Sequence, residues 1–476
     1  MKKAAEILSG FKAPEFSEWE KAIAKELKGA DYKTVLGWNT DNGFSMLPFY
    51  NSKNSSAKKI YHSFKNSNHW EINRMIKVND IASANKQALK ALNEGVSSLT
   101  FRNEKKKISY DEFSALLKGI QIAYIEVNFE NFSTEGIKHL VRYADENGIN
   151  KNELRAGFLN DPYGELIVKG SFPVSRAGSE KEIIEQAKAA KNISPQPRVV
   201  SVNATSFHHA GATTMQEIAF ALAQGHEYLY LLCNNGIPAD DASAVIGFRF
   251  SAGNEFYAEI AKLRAFRKLW AMVVEQYHPQ HECSKNTYIQ SETSLFYFSV
   301  KDANTNMLRS TSQAIAAIAA GCDSLYIHPY NGKYDDEFSQ RIASNIQLML
   351  KEEAEMDKVA DPAAGSYFIE ELTRKLAAGA WKLFKETESA GGFISSLEKN
   401  LLQPAIEKAS KEKKDAFKNG KIVLTGVNKF PNPADQPEQA SSPSFISSPL
   451  SSPVNTVRLF RLAEETEKTG IKSHAS

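Results

Sequence analysis

This sequence contains few clusters of side chains that could bind a metal or catalyse a reaction. His278, His281 and Glu282 have the residue types of a metal site, but they lie just beyond a predicted helix. Such a pattern is more typical of a solvated helix end than of a ligand set. His208 and His209 are adjacent, and neighbouring side chains on a strand point to opposite faces, so they cannot chelate one ion together. The sequence therefore predicts no metal site.

Phosphate and redox chemistry are poorly represented as well. The sequence has neither the phosphate-binding pattern GxxxxGKS/T nor the dinucleotide-binding pattern GxGxxG. Its three cysteines are far apart and form no CxxC pair; they are Cys233, Cys283 and Cys322. This spacing excludes a disulfide framework, disfavours a zinc site and fits a reducing compartment. We therefore expect a cytoplasmic protein.

The composition narrows the classes of partner. Of the 476 residues, 42% are hydrophobic and 24% are charged, which is the usual balance of a soluble globular protein. The 58 basic and 56 acidic residues leave a net charge of +2, which supplies no long-range field for nucleic acid or an anionic membrane. No apolar run approaches the length of a membrane span. We expect neither nucleic acid nor membrane as a partner.

The elements that must position any functional residues alternate between β-rich runs and helical patterns. Strands are predicted at Val96–Phe101, Ile122–Val127, Leu154–Leu159, Arg198–Asn203, Tyr228–Cys233, Thr287–Ser291 and Ser324–His328, with a last strand near 359–361. Helical patterns lie at 134–147, 181–192, 214–224, 253–276, 304–320, 335–355 and 369–388. Seven or eight βα repeats in about 300 residues favour a closed (β/α)8 TIM barrel, with an open doubly wound sheet as the alternative.

The predicted barrel domain spans residues 71–426 and is flanked by two different segments. Residues 1–70 form an N-terminal arm, in which a helix is followed by an extended aromatic stretch. Residues 427–476 begin as a linker rich in proline and serine, which cannot bury enough apolar surface to fold alone, and end in a short amphipathic tail. Such a linker indicates a missing C-terminal domain, or a tail that wraps its own barrel or a partner.

The arm contains one predicted amphipathic helix. Ser17 followed by Glu20 has the pattern of a capping box, and Trp19, Ile23 and Leu27 then recur at helical spacing. A short helix with several exposed aromatic residues beside it packs either on another chain or on its own barrel. Both possibilities stay open for the arm.

The long helix after Gly253 has an unusually specific sequence. Residues 256–270 read FYAEIAKLRAFRKLW and resemble the FYxEIAKxRAxRxLW helix of the methylmalonyl-CoA mutase family. Three further segments agree with the family in order and spacing. They are 209–213 (HAGAT), which resembles its AGA turn, 302–309, which resembles the stretch after its active-site strand, and 361–370 (DPAAGSYFIE), which is similar to its motif DPxxGSYxxE.

The resemblance implies a TIM barrel that carries an acyl-CoA along its axis, followed by a flavodoxin-like domain that binds adenosylcobalamin. In the family, a radical generated from this cofactor interconverts (R)-methylmalonyl-CoA and succinyl-CoA. The cofactor supplies the difficult chemistry, and the protein contributes orientation, a dry pocket and electrostatics. The residues that serve these purposes can therefore be sought in this sequence.

The sequence departs from the family's catalytic pattern at the strand that presents a histidine to the substrate thioester. The family motif resembles HCQTSGWSLT, and residues 290–299 here read QSETSLFYFS. Gln290 occupies the histidine position, and an amide cannot serve as a general acid. Glu292 places a carboxylate where the family has a neutral amide, while Thr293 and Ser294 are retained. We expect these four residues to form a vestigial site at the barrel mouth.

Three other departures point the same way. The family's QYAGFS segment, whose tyrosine packs at the cofactor–substrate boundary, corresponds to residues 73–79, which contain no tyrosine. The family ligates cobalt through the histidine of DxHxxG, and no aspartate here is followed two positions later by histidine. Arg249 stands where the catalytic chain tends to have an aromatic residue. In each respect the sequence resembles the family's small, non-catalytic subunit.

The resemblance therefore implies a small subunit that binds no cofactor or metal and has no catalytic residues of its own. It would form a heterodimer with a catalytic large subunit, which binds adenosylcobalamin. We also expect the barrel axis to be filled by the chain's own side chains, with Phe296, Tyr297 and Phe298 contributing bulk. The alternatives are an active acyl-CoA mutase barrel that takes its cobalamin domain from a separate chain, and an assembly factor that contacts the mutase transiently.

Overall fold

The computed structural model describes residues 15–56, 65, 67–105, 107–194, 197–432, 445 and 452–469. They fall into two units, Met1–Ser56 and Ala57–Ser476. The described part of the first unit, residues 15–56, contains two helices and a small antiparallel sheet. These elements are α1 (Phe16–Glu26), α2 (Tyr32–Val35), β1 (Trp38–Asn39) and β2 (Ser45–Met46).

Helix α1 begins before the predicted capping residue. Glu15 is its N-cap residue, and the Glu15 N–H donates a hydrogen bond to the Glu18 carboxylate at 3.1 Å. The predicted capping box of Ser17 and Glu20 is therefore wrong, since Glu20 instead accepts a hydrogen bond from the Tyr32 hydroxyl at 3.1 Å. A glutamate carboxylate can take the place of a serine hydroxyl here because both offer an oxygen to the unpaired N–H groups of the first turn.

The second unit contains a closed barrel of eight parallel strands, which confirms the predicted TIM-barrel fold and excludes the open sheet. The strands are β3 (Glu71–Val78), β4 (Ser98–Asn103), β5 (Glu126–Glu130), β6 (Arg155–Asn160), β7 (Arg198–Asn203), β8 (Ile246–Ala252), β9 (Tyr288–Thr293) and β10 (Ser324–Tyr326). Each strand pairs with the next one in the sequence, and β10 also pairs with β3, so the barrel has no open edge.

Helices surround the barrel and connect successive strands. They are α3 (Ile81–Asn93), α4 (Tyr110–Leu117), α5 (Thr134–Glu146), α6 (Pro162–Lys169), α7 (Arg176–Ala190), α8 (Thr205–His209), α9 (Thr214–Asn234), α10 (Ala239–Ala244), α11 (Phe256–Glu275), α12 (Thr305–Ala319), α13 (Glu337–Leu348), α14 (Tyr367–Ser389), α15 (Gly392–Glu398), α16 (Leu402–Lys418) and α17 (Glu464–Thr469). Single 3-10 turns lie at Lys151–Glu153 and Glu282–Lys285, and a π-helical turn, Met349–Glu353, extends α13.

Two predicted strands are wrong, and two strands were missed. The run Tyr228–Cys233 is not a strand but the last part of α9. Its apolar residues show no clear period because the strands and the helices α11 and α14 bury most of the surface of α9. Residues 359–361 form bends and no strand.

The strands β3 and β8 were missed because polar residues interrupt their apolar pattern. Asn73 and Arg249 face the barrel axis, whereas Arg74 of β3 donates hydrogen bonds to Gln340 and Ser344 of α13.

The C-terminal tail packs on the barrel of its own chain. The N–H groups of Val454 and Val457 donate to the carbonyl groups of Gly170 and Ile167, at 3.3 and 3.0 Å. Further along, the Phe460 N–H donates to the His209 carbonyl at 3.0 Å, and the Leu462 N–H to the Phe296 carbonyl at 2.8 Å. For residues 452–469, the structure therefore supports the alternative in which the tail wraps its own barrel.

An apolar cluster joins this tail to the loop after β9. Its buried members are Phe296, Tyr297, Phe417, Leu424, Val427, Phe460, Leu462 and Ala463. Phe296 and Tyr297 therefore pack between α16 and the tail, and the prediction that they fill the barrel axis is wrong. Aromatic side chains reach this position because they follow the last residue of β9 and lie on the loop above the strands.

Within the described ranges, every helix is too short or too polar to cross a lipid bilayer.

A close contact between α9 and α11 gives a test of the packing. A Cβ atom at Gly225 would lie 2.6 Å from Phe248 Cζ and 2.9 Å from Trp270 Cζ3, and both rings are buried. We expect Gly225→Ala to lower the free energy of unfolding by about 1–3 kcal/mol, although the same change in an open helix stabilises it. Urea denaturation followed by circular dichroism measures the difference.

Gly379→Ala in α14 is the matched control for this substitution. Its Cβ would meet only the thioether end of Met215, which is flexible and can turn away. We expect this variant to be as stable as the parent or slightly more stable. Equal effects of the two substitutions would contradict the rigid packing described here.

Candidate functional site

The axis of the barrel is crossed by polar side chains from strands on opposite sides. The Tyr288 hydroxyl of β9 donates to Glu126 of β5 at 2.7 Å, and these two strands are four places apart in the barrel. Arg198 of β7 pairs with Glu126 at 3.0 Å and lies over the Tyr288 ring, 3.8 Å from its centroid. The end of the barrel where the strands begin is therefore filled by a hydrogen-bonded ion pair.

Gln290 belongs to the middle of the same network. Its amide nitrogen donates to Asn73 Oδ1 at 3.4 Å, and its amide oxygen accepts from Arg249 Nε at 3.2 Å. Asn73 also donates to the hydroxyls of Ser98 and Thr100, at 2.7 and 3.0 Å. Gln290 is 4% exposed, so its amide is held by neighbouring side chains and has little contact with solvent.

A three-membered ion cluster lies nearer the C-terminal ends of the strands. Glu130 accepts from Arg102 at 3.1 Å and from Arg249 at 3.4 Å. Burial disfavours the charged form of Glu130, but the charges of Arg102 and Arg249 outweigh burial and lower the pKa of the carboxyl. Because β5 and β8 are three places apart, the contact between Glu130 and Arg249 spans the interior of the barrel.

Glu292 is paired in the same upper layer. Its carboxylate lies 3.6 Å from His328 Nε2, and both side chains are buried. Burial opposes ionisation of Glu292, but the neighbouring His328, followed by Arg249 and His209, outweighs burial and lowers the pKa of the carboxyl to about 2. The carboxylate that the sequence places at the barrel mouth is therefore ionised and compensated.

Thr293 and Ser294 have different partners from Gln290. Thr293 Oγ1 accepts a hydrogen bond from the backbone N–H of His328 at 3.0 Å, and the Ser294 N–H donates to Gln313 of α12 at 2.9 Å. The four predicted residues therefore do not form one group. Gln290 contacts axial residues of other strands, Glu292 and Thr293 both contact His328, which follows β10, and Ser294 contacts the helix layer.

Ser294 ends a chain of hydrogen bonds and ion pairs that was not predicted. Its hydroxyl lies 2.7 Å from His208 Nε2, and His208 Nδ1 lies 2.8 Å from Glu217. Glu217 also pairs with Lys262 at 2.8 Å, and Lys262 pairs with Glu259 at 2.6 Å. The order serine, histidine, carboxylate is that of a nucleophilic relay, and its members come from distant parts of the sequence.

Burial of this chain indicates a structural role. Ser294, His208 and Glu217 are 3%, 4% and 2% exposed, and the Ser294 hydroxyl also accepts a hydrogen bond from the Phe296 N–H at 3.1 Å. No substrate carbonyl could approach the serine without moving Phe296. Burial opposes ionisation of Glu217, but Lys262 and His208 outweigh it and lower the pKa of the carboxyl to about 2.

The neighbouring histidine, His209, lies beneath the tail. Its ring is 5.0 Å from the ring of Phe445, and burial, followed by the charge of His208, lowers its pKa to about 3. His208 and His209 lie on the short helix α8 and not on a strand, with ring centroids 5.6 Å apart. Across the described residues, no three His, Cys, Asp or Glu side chains are grouped as a metal site would require.

The ionic residues of the axis were missed by sequence reasoning, although they leave a signal. Glu126 and Arg198 fall within predicted strands that are otherwise apolar. A buried charge needs a compensating partner, and a charge that faces the barrel axis must find an opposite charge there. Partner identity could not be read from the sequence, because the pairs join strands far apart in the chain.

The paired carboxylate of Glu292 gives a prediction with a definite pH dependence. Its pKa is about 2, against an ordinary value of 4.5, so the stability it contributes is present above pH 4.5 and is lost as the pH falls towards 2. We expect Glu292→Gln to lower the free energy of unfolding at pH 7 by an amount on the order of 2–3 kcal/mol, and by progressively less below pH 4.5.

Urea denaturation at pH 7, 4.5 and 3 measures this dependence. Glu407→Gln, an exposed position on α16, is the control and should change stability little at any pH. A loss that is constant with pH would show that the carboxylate charge of Glu292 is not what stabilises the fold.

The pair Lys262–Glu217 gives a second prediction. Lys262→Met leaves two carboxylates buried without their cation, and we expect a loss of about 3–5 kcal/mol in the free energy of unfolding. Adding Glu217→Gln should restore part of this loss, because one of the uncompensated charges is then removed. Lys268→Met, at an exposed position of the same helix, is the control, and equal effects at the two lysines would refute the ion-pair interpretation.

Comparison with known proteins agrees with the sequence motifs. The chain matches the family model described as Methylmalonyl-CoA mutase over residues 107–466. The methylmalonyl-CoA mutase small subunit of Porphyromonas gingivalis is 34% identical over 448 residues, which cover 90% of this chain and 72% of the relative. The small subunit of Streptomyces virginiae is 28% identical over 428 residues, which cover 87% and 68% of the two chains.

The match extends to a relative that is not described as a small subunit. The methylmalonyl-CoA mutase of Rhizobium meliloti is 31% identical over 296 residues, which cover 62% of this chain and 42% of the relative. The motifs quoted above, the closed barrel and the family match agree with one another. The chain belongs to the methylmalonyl-CoA mutase family and resembles its small subunits.

Proposed function

We propose that this chain is the non-catalytic small subunit of an adenosylcobalamin-dependent methylmalonyl-CoA mutase, and that it supports a catalytic large subunit in a heterodimer. The observation that carries the proposal is the filled barrel axis. A chain that binds an acyl-CoA along this axis needs an open channel. Here the axis is occupied by Arg102, Glu130, Arg249 and Gln290, which bind one another.

Opening such a channel would be energetically costly. Moving Arg249 aside would leave Glu130 with one partner in a buried site, and separating a buried ion pair typically costs about 3–5 kcal/mol. The bottom of the barrel would have to open as well, where Arg198 pairs with Glu126. An acyl-CoA would need binding energy sufficient to break both pairs, whereas a supporting subunit needs no such opening.

The chemistry of Gln290 supports the same proposal. The family's catalytic histidine can exchange a proton, whereas an amide can only donate and accept hydrogen bonds. In this chain both ends of the Gln290 amide are occupied by Asn73 and Arg249. We propose that Gln290, Glu292, Thr293 and Ser294 are remnants of a substrate site and that they now hold the barrel together.

Adenosylcobalamin is placed on the partner chain in this proposal. The family as a whole depends on cobalamin, and in it a histidine of the pattern DxHxxG ligates the cobalt. The residues of this sequence do not fit that role, because no aspartate is followed two positions later by a histidine. We therefore assign this chain no contact with the cobalt and propose a cytoplasmic heterodimer in which the large subunit carries the cofactor.

The first unit supplies a candidate contact with that partner. Helix α1 has no buried residue, and Phe16, Trp19, Tyr32 and Phe49 form a cluster of aromatic rings beside it. The rings of Trp19 and Tyr32 meet edge to face with centroids 5.3 Å apart, so the cluster is rigid enough to present an apolar surface. We propose that the arm packs on the large subunit through this surface.

The proposal is tested by purifying this chain with a candidate catalytic subunit and assaying mutase activity. We expect a stable 1:1 complex, no turnover by this chain alone even with a free cobalamin-binding domain, and higher activity or stability of the partner in the complex. Turnover of an acyl-CoA by this chain with only a cobalamin-binding domain would establish the alternative, an active barrel. A complex that dissociates during gel filtration would favour the transient assembly factor.

A pair of arm variants sharpens the test. Ile23→Glu places a charge on the apolar face of α1 and should weaken the complex at least about tenfold, since a desolvated charge at an interface costs several kcal/mol. Ala22→Glu, at an exposed neighbouring position of α1, is the control. Equal affinity of the two variants for the partner would exclude the arm from the interface.

A further inference from the structure

A cavity of about 720 Å³ lies outside the barrel axis. It is situated beside the C-terminal ends of β5 and β6, where Asn131 and Asn160 contribute to its lining, and it continues between these strand ends and α7. Its volume falls within the range of small-molecule sites in proteins, about 300–1,000 Å³. It shares no residue with the filled axis or with the chain that ends at Ser294, so the proposed function does not explain it.

One part of the lining is apolar. Phe132, Phe172 and Ile183 contribute to the wall, and Val174 lies on the rim, where it is 80% exposed. Phe132 and Ile183 are buried and are therefore fixed in place. An aliphatic or aromatic group would bind against this wall, because the apolar surfaces of the ligand and of the wall would both be removed from water.

The charged part of the lining is negative. The lining has three carboxylates, Asp161, Glu165 and Glu182, and one cation, Lys169. Lys169 is already paired with Glu165 at 2.6 Å. Asp161 is held by the Tyr228 hydroxyl at 2.7 Å and by other donors, and burial raises its pKa to about 6. Such a cavity repels the phosphates of a coenzyme A ester, so it is distinct in chemistry from the family's substrate site.

Glu182 is the carboxylate best placed to meet a ligand. It is half-buried, and within the described part of the chain it accepts one hydrogen bond, from the Thr134 N–H at 3.4 Å. A carboxylate has capacity for about four hydrogen bonds. Its remaining oxygen capacity is therefore available to a donor in the cavity, and a charged donor would gain most from it.

Ser179 belongs to the wall of the cavity beside Glu182. The two residues lie three positions apart on α7 and so are neighbours on the surface of that helix. The Ser179 Oγ is enclosed by the protein and has no hydrogen-bond partner in the described residues, so a molecule in the cavity does not reach it. Glu182 is therefore the polar group of this helical turn that a ligand would meet.

We infer that this cavity binds a small organic cation, an amine or guanidinium attached to an apolar body. In this arrangement Glu182 accepts hydrogen bonds from the cationic group, and the apolar body packs against Phe172 and Ile183. The site is separate from the proposed subunit role.

Isothermal titration calorimetry of the full chain with 2-phenylethylamine tests the inference, with the neutral isostere 2-phenylethanol as the comparison ligand. We expect saturable binding of the amine and at least about tenfold weaker binding of the alcohol, because the alcohol lacks the charge that pairs with Glu182. Two outcomes would overturn the inference: equal affinity for both ligands, or no saturable heat with the amine up to 10 mM. A dissociation constant of 10 mM corresponds to a binding free energy of about 2.7 kcal/mol in magnitude.

Variants of α7 connect the binding to the named residues. Glu182→Gln should weaken binding of the amine at least about tenfold. Glu185→Gln, which removes an exposed carboxylate of the same helix outside the cavity, is the matched control and should bind as the parent does. Thermal unfolding of each variant verifies the fold, and unchanged affinity in a folded Glu182→Gln protein would contradict the assignment.

Discussion

Charges withdrawn from water inside the barrel must neutralise one another, and the rest of the second unit is arranged around this constraint. Arg102 and Arg249 share Glu130, and Arg198 is matched by Glu126. The pair Arg249–Glu130 joins strands three places apart, so it sets the spacing across the barrel as well as its charge balance. The same contacts occupy the axis, so the charge balance of the interior and the filling of the axis have one physical origin.

Two strands beside Arg198 carry glycine where a larger side chain would approach the ion pair. A side chain at Gly157 of β6 would lie 2.6 Å from Asn128 Oδ1 and 3.5 Å from Arg198 Cβ, and one at Gly247 of β8 would lie 3.4 Å from Arg198 Cδ. Glycine at both positions lets the long guanidinium side chain extend across the bottom of the barrel. The pair Arg198–Glu126 is therefore supported by glycines on the two strands that flank β7.

The fold could be predicted from the sequence where local pattern and environment agree. The alternation of strands and helices favoured the closed barrel and left the open sheet as an alternative, and α5, α12 and α14 lie close to their predicted bounds. The run Tyr228–Cys233 was misread, because a helix that is buried on most of its surface has no polar face to show its period. The strands β3 and β8 were missed for the opposite reason, since their inward faces carry polar residues that an apolar pattern does not include.

The sequence identified individual residues of the candidate site but not the contacts between them. The comparison of motifs identified Gln290 and Glu292, yet their partners Arg249, Asn73 and His328 lie on other strands or beyond them, and only the closed barrel brings them together. The link from Ser294 to Lys262 likewise depends on contacts across 86 positions of the chain, from Ser294 to His208, and across 45 positions, from Glu217 to Lys262. Spacing along a sequence carries no information on such pairs when each partner is a common residue type.

The position of the tail has a consequence for the order in which the molecule assembles. Phe460 and Leu462 cover Phe296 and Tyr297, yet they follow every barrel strand in the sequence. The loop after β9 therefore presents bare aromatic rings until the tail docks, and contacts this remote in the chain form late. During that interval the nearly finished barrel is at its most prone to self-association, and the docking of the tail ends its exposure.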